Sequence, residues 1–295
     1  MHVHVVLFDG FDPLDALGPY EVLQAAALAG GDVTAELVTA EGPREVPSGI
    51  PRLTLRATGT LDPAVADVVI IPGGAGALSG DGEHTVQAVL ARSLETGLPA
   101  LAKLALEREG TLVATVCGGS LILAMAGLIS GRHATTNHQG LDALAATGAR
   151  PVRARLVDDG DLVTAAGITS GVDLGLYLVE RETGPQIAHA VETLFAHERR
   201  GTAWSPPPAP PPPGKANHAS HPTPTSPPPL DAPAPPHHPT PLDPHHPTPA
   251  DPHHPTFLDP YHPMPLHPRR RMLPPFPLHR PAPQRCRASD AEGRS

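Results

Sequence analysis

The chain has 295 residues, a formal net charge of −9 and 41 prolines, of which 10 fall in residues 1–204 and 31 in the last 91. Residues 1–204 carry 13 basic and 24 acidic side chains, a net of −11, and the remainder 8 and 6, a net of +2. An acidic body without Lys/Arg clusters argues against nucleic acid as a partner, and no run of 18 uninterrupted apolar residues offers a membrane span.

The start, "MHVHVVLFDGFDP", lacks the basic n-region and long apolar run of a signal peptide, so a soluble, cytoplasmic protein is expected. Val3–Phe8 reads as a strand, and "DPLDALGPYEVLQAAALAG" as a helix capped by Asp12, with Pro13 at its first position and Gly30-Gly31 after it. Glu36–Thr39 and Arg52–Arg56 read as strands. Ala66–Ile71 is continuous and β-branched, then breaks at "PGGAGALSGDGE". Residues 83–109 suggest two helical pieces divided at Gly97 and Pro99. Leu112–Val116 reads as another apolar strand and Ser120–Leu128 as another helix. Arg153–Val157 and Leu162–Ala166 flank the turn "DDGD", and two helices fill 171–198. Continuous apolar strands alternating with helices predict a mostly parallel sheet covered on both faces, which places ligands at strand carboxyl ends.

From Ser205 the chain changes regime. "HHPTPLDP", "HHPTPADP", "HHPTFLDP" and "YHPMPLHP" repeat every eight residues. Proline at that density favours solvated polyproline II and excludes a packed core. Regular His-His pairs are possible weak sites for a divalent metal; a disordered, composition-biased extension is the plainer reading, with no metal or cofactor assigned. The expected division is therefore a folded domain over 1–204 and a disordered Pro/His-rich tail over 205–295.

The two cysteines, Cys117 and Cys286, fall one in each region and make no disulfide framework. "TLVATVCGGSLILAMAGLI" holds Cys117 between a buried strand and a helix start, the nucleophile-elbow arrangement with cysteine in place of serine. Gly118 and Gly119 are expected because a Cβ would crowd the turn, and the helix N-terminus is expected to lower the thiol pKa. The plain alternative is a small buried thiol. "PGGAG" ends the neighbouring strand with unobstructed amides, so Gly74 with Gly118 can stabilise a developing oxyanion. "FDGFDPLDALGPYEVL" brings acids after the first strand, and one entering a thiol pocket can share its proton. Thr169 and Ser170, in "ITSGVD", cap a helix or line the pocket, capping being preferred. Arg199 and Arg200 read as helix C-terminal charges.

Four ordered motifs, "FDGFxxLDxxGPYEVL", "DVVIIPGG", "VCxGxxxLAxAGLIxGRxATT" and "DLVTAxGITSGxDLGLxLVE", resemble the DJ-1/ThiJ/PfpI superfamily across residues 1–204. Within it the chain looks most like the branch holding isonitrile hydratase and the amidotransferase-like domains of AraC-type regulators. The resemblance implies a flavodoxin-like α/β three-layer sandwich, usually a homodimer, with Cys117 as nucleophile. It implies Asp15 as the acid meeting the cysteine, with Glu21 as a weaker candidate. Gly74 and Gly118 would supply oxyanion amides, and Gly73, Asn137, His138 and Thr169 would border the ligand. Two departures stand out: relatives carry threonine where this chain has Gly118, and histidine where it has Asn137, with His138 adjacent.

A cysteine-dependent enzyme acting on an isonitrile or a reactive carbonyl compound follows, with Asp15 managing the proton. The alternative is a non-catalytic ligand or redox sensor of the kind linked to transcriptional regulation. A protease would need a Cys-His pair, which Asn137 undermines.

Overall fold

In the computed structural model, which describes residues 1–80 and 82–207, strand β1 (His2–Val6) leads into helix α1 (Pro13–Leu28) and strand β2 (Thr34–Thr39). A hairpin of β3 (Arg44–Pro47) and β4 (Thr54–Ala57) follows, then β5 (Gly59–Thr60) and β6 (Val68–Ile71). Helices α2 (Val86–Ser93) and α3 (Leu98–Glu107) precede β7 (Leu112–Val116) and α4 (Gly119–Met125). After β8 (His133–Ala134), α5 (Leu141–Ala146) and β9 (Arg150–Pro151) come β10 (Leu156–Asp158), β11 (Leu162–Ala165), α6 (Ser170–Thr183) and α7 (Pro185–Phe195).

Seven strands form one sheet in the order β10-β11-β7-β6-β1-β2-β5. All its neighbours pair parallel except β10 with β11, joined by the predicted "DDGD" turn. The central strands β6 and β7 are buried at every position, as a sheet covered on both faces requires. The expected α/β architecture is present.

Helix α1 starts as predicted: Asp12 Oδ1 accepts the Leu14 N–H at 3.0 Å, with Pro13 in the first turn. It packs against α6 through small residues. A Cβ at Gly171 would lie 2.9 Å from Pro19 Cδ, and one at Gly175 2.8 Å from Val22 Cβ. This close crossing seats the first turn of α1, with Asp15, against the carboxyl end of the sheet.

Several elements differ from the sequence reading. The segment read as one strand at Arg52–Arg56 is the second arm of the β3–β4 hairpin, whose turn holds Arg52 at φ 67°. Short α5 carries only two buried residues, Leu141 and Leu144, too few to show a helical period. Arg199 and Arg200 lie beyond the end of α7 and do not complement its dipole. Arg199 instead joins Glu180 and Glu192 on α6 and α7, and the Arg200 N–H points to Asp173 Oδ1 at 3.4 Å. The chain then returns to the sheet edge, where Trp204 exchanges backbone hydrogen bonds with Leu156 and Asp158 at 2.9 and 2.8 Å. The predicted tail lies, from residue 208 onward, outside the described residues. Among the described residues no helix is long and apolar enough to cross a membrane.

Candidate active site

Cys117 follows the last residue of β7 and adopts φ 53°, the left-handed region that non-glycine residues enter at a cost of about 1–2 kcal/mol. Three contacts hold it there. Its N–H donates to Ala165 O of β11 at 2.9 Å, while its carbonyl accepts from Thr136 Oγ1 at 2.8 Å and Ser120 Oγ at 3.3 Å. Thr136 and Ser120 are site-building residues that the sequence reading did not single out. Their signal was a pair of hydroxyls flanking the elbow, which spacing alone does not connect.

The glycines around the turn differ in how strictly they are required. A Cβ at Gly119 would fall 2.1 Å from Ile71 O, and one at Gly73 2.6 Å from Gly118 N. Both positions exclude a side chain because the opposing atoms are backbone. Gly118 does not fit the expectation of crowding: its Cβ would meet the Leu90 side chain at 3.3 and 3.5 Å and Gly73 Cα at an ordinary contact distance of 3.6 Å. Gly74 presses against Val89 of α2 and, with Gly118, borders the same cavity as Cys117.

Asp15 is fully buried beside this turn. Its Oδ2 accepts the Gly73 N–H at 2.9 Å, while Oδ1 has no hydrogen-bond partner among the described residues. Burial, aided by the Asp12 charge, pushes the Asp15 carboxyl up to about 8; the Gly73 amide and the Cys117 thiol pull the other way. Burial likewise pushes the Cys117 thiol up to about 12, with the Asp15 charge adding to it. The Asn137 amide and the Gly118 N–H favour the thiolate but do not prevail. The expected lowering of the thiol pKa is therefore reversed. Helix α4 has only seven residues, and its N-terminal field is outweighed by desolvation and a neighbouring acid.

The thiol opens onto a cavity of about 440 Å³, a size typical of small-molecule sites. Apolar side chains of Ile50, Leu78, Val86, Leu90, Leu121 and Ile168 form most of its wall, with Asp12, Gln87, Asn137 and Gln139 as its polar points. Asn137 reaches Cys117, its Nδ2 lying 3.6 Å from Sγ. Three other predicted residues are not brought together here. Glu21 is exposed on α1, because helical rotation turns it away from the buried face that carries Asp15. His138 is exposed in the one-turn helix after Asn137 and does not line the cavity. Thr169 sits at the start of α6 without capping it; its hydroxyl and carbonyl instead accept from Arg155. Its neighbour Ile168 contributes to the wall.

The chain is similar to the isonitrile hydratase of Pseudomonas putida, 35% identical over 196 residues, covering 65% of this chain and 76% of that protein. It is also similar to the HTH-type transcriptional regulator CdhR of Pseudomonas aeruginosa, 37% identical over 92 residues but spanning only 27% of that regulator's length. Among solved structures, a ThiJ/PfpI family protein from Pseudomonas syringae matches with a TM-score of 0.55 and 25% identity, over 68% of this chain and 76% of its own. Drosophila melanogaster DJ-1beta matches in fold with a TM-score of 0.56 at 19% identity, over 67% and 98%. The strand-turn-helix elbow at Cys117 and the parallel sheet behind it thus have their counterparts in a known group, and a match of residues 1–181 to its family model places the chain in the DJ-1/PfpI family.

Proposed function

We propose that the protein is a cysteine-dependent enzyme of the hydratase type, acting as a homodimer on a small electrophile, either an isonitrile or a reactive carbonyl compound. The observation that carries this reading is Cys117 facing a largely apolar cavity with the buried Asp15 carboxyl beside it. A group held near neutrality by burial beside a nucleophile is suited to moving one proton back and forth. For an isonitrile the Asp15 carboxyl, protonated at neutral pH, gives its proton to the terminal carbon as Sγ bonds to that carbon, and the carboxylate left takes up the thiol proton, leaving a thioimidate. Water then adds across the C=N bond. The resulting hydroxyl proton passes through Asp15 to sulfur as the C–S bond breaks, releasing the formamide. In this reading the amides of Gly74 and Gly118, which border the cavity, hold charge that develops on oxygen.

The test is formamide formation from an alkyl isonitrile, run in parallel with product formation from a dicarbonyl compound. Slow turnover is expected, abolished by Cys117→Ala and lowered roughly 10²–10⁴-fold by Asp15→Asn. A rate that survives Cys117→Ala would overturn the reading.

A second reading, a ligand-sensing domain, is favoured by one feature: a thiol pushed up to about 12 is held almost wholly protonated at neutral pH. The similarity to HTH-type regulators is consistent with it. Under this reading compounds that fill the cavity raise the melting temperature without being converted.

A further inference from the structure

The cavity before Cys117 has an asymmetric charge. Asp12 is the one ionisable side chain in its wall besides the cysteine, and among the described residues that line it there is no Lys, Arg or His. Asp12 is half-buried, and its place is fixed from both sides: its Oδ1 accepts the Leu14 N–H and its own N–H donates to Gly73 O at 2.8 Å. The carboxylate therefore cannot swing away to relieve a like charge without uncapping α1. Arg92 and His84 line the adjoining cavity, which shares Ile50, Ala75 and Gly76 with this one, and Arg92 donates to Glu83 O at 2.5 Å. An anion at the reacting end of a substrate would meet the Asp12 carboxylate within the same cavity, with only backbone and side-chain amides to offset it.

From this geometry we infer that Asp12 is a specificity residue, which admits electrophiles uncharged near the reacting carbon and refuses those bearing a carboxylate there. The inference rests on Cys117 being the group that meets the ligand. It adds that neutral isonitriles, aldehydes or amides are accepted, while 2-oxo acids and isocyanoacetate-type compounds are rejected. Asp12 touches neither sulfur nor Asp15 through a hydrogen bond; its effect is through the field at the cavity mouth, which is why the discrimination should follow charge and not size.

The test uses two alkylating reagents of nearly equal size, neutral iodoacetamide and anionic iodoacetate, with modification of the Cys117 peptide followed by mass spectrometry at 0.15 M salt. The ratio of the two rates is compared with that for free cysteine. In the native chain the neutral reagent should be favoured by on the order of tenfold beyond the free-cysteine ratio, and Asp12→Asn, which keeps an N-cap side chain, should bring the ratio back towards it. A native ratio equal to that of free cysteine, or one unchanged in Asp12→Asn, would overturn the inference. So would a Cys117 that neither reagent modifies even well above pH 9, where the thiolate fraction is larger, because the cavity would then admit no electrophile. Since alkylation needs no turnover, a selective but inactive protein would refute the hydratase reading while leaving the role of Asp12 standing.

Discussion

At the scale of single residues, the site is governed by two buried acids of very different strength that share one small volume. The Asp15 carboxyl at about 8 and the Cys117 thiol at about 12 titrate as a pair. Alkylation of Cys117 by iodoacetamide should therefore be slower at pH 7 than that of a free thiol, and should still be rising above pH 9. Asp15→Asn removes one cause of the upward shift and should move the profile to lower pH, a direction that peptide-resolved rates measure directly. The same pair affects stability. Asp15 keeps its proton in the folded protein up to about 8 but loses it near 4 when unfolded, so folding stability falls as pH rises between those values. Asp15→Asn should change the melting temperature little at pH 4 and raise it by roughly 5–10 °C at pH 8. A difference that does not vary with pH would show that the carboxyl is not held protonated. The two departures from the family pattern also belong here. The Cβ of a residue at 118 would press closest on movable Leu90 methyl groups and meet the Gly73 backbone only at ordinary contact distance, and Asn137 already lies against the sulfur. Gly118→Thr with Asn137→His should raise formamide formation roughly 10²–10⁴-fold if a second proton carrier is what the native site lacks.

Among the elements, the strands that build the site were readable because each is a short, uninterrupted apolar run ended by glycine or proline. β6 before "PGG" and β7 before "CGG" fall within two residues of the reading. Cys117, Gly74 and Gly118 were named from those punctuation marks, and Asp15 from the resemblance to the family. What the sequence did not display are the contacts made across it. Thr136 reaches the Cys117 carbonyl from 19 residues away, and Asp12, read as a cap and as one of several acids after the first strand, is the acid that lines the cavity. The upward shift of the thiol was missed because it depends on burial and on how close α1 comes to β7, neither of which has a linear signature. Helix α6 carries a comparable hidden contact. Asp173, almost fully buried, binds Arg155 and the His197 ring, and Arg155 in turn holds Thr169 beside the cavity wall. Asp173→Ala leaves the Arg155 charge without its carboxylate and should lower the melting temperature by roughly 5–12 °C. If instead the loss is under about 1 °C, this cluster is a surface pairing of little consequence.

For the molecule as a whole, the change in composition after Trp204 marks a boundary, and we propose that folding needs the chain up to that point and little beyond it. Residues 196–204, though polar and rich in charge, pack back onto the domain. His197 and the Arg200 N–H meet Asp173, Arg199 ties α6 to α7, and Trp204 pairs with β10 while its ring lies 5.0 Å from that of His133. Two truncations separate this strap from the proline-rich segment that follows. A chain ending at Pro207 keeps every one of these contacts and should melt within roughly 2 °C of the full chain, as changes that remove no packed surface do. A chain ending at Phe195 exposes the edge of β10 and strips Asp173 of two partners, and should melt roughly 5–15 °C lower or fail to fold. Thermal unfolding of the two, followed by circular dichroism at pH 7, decides between them. Equal melting temperatures would show that the strap is only laid against the domain, and a large loss at Pro207 would show that the proline-rich segment contributes to the fold.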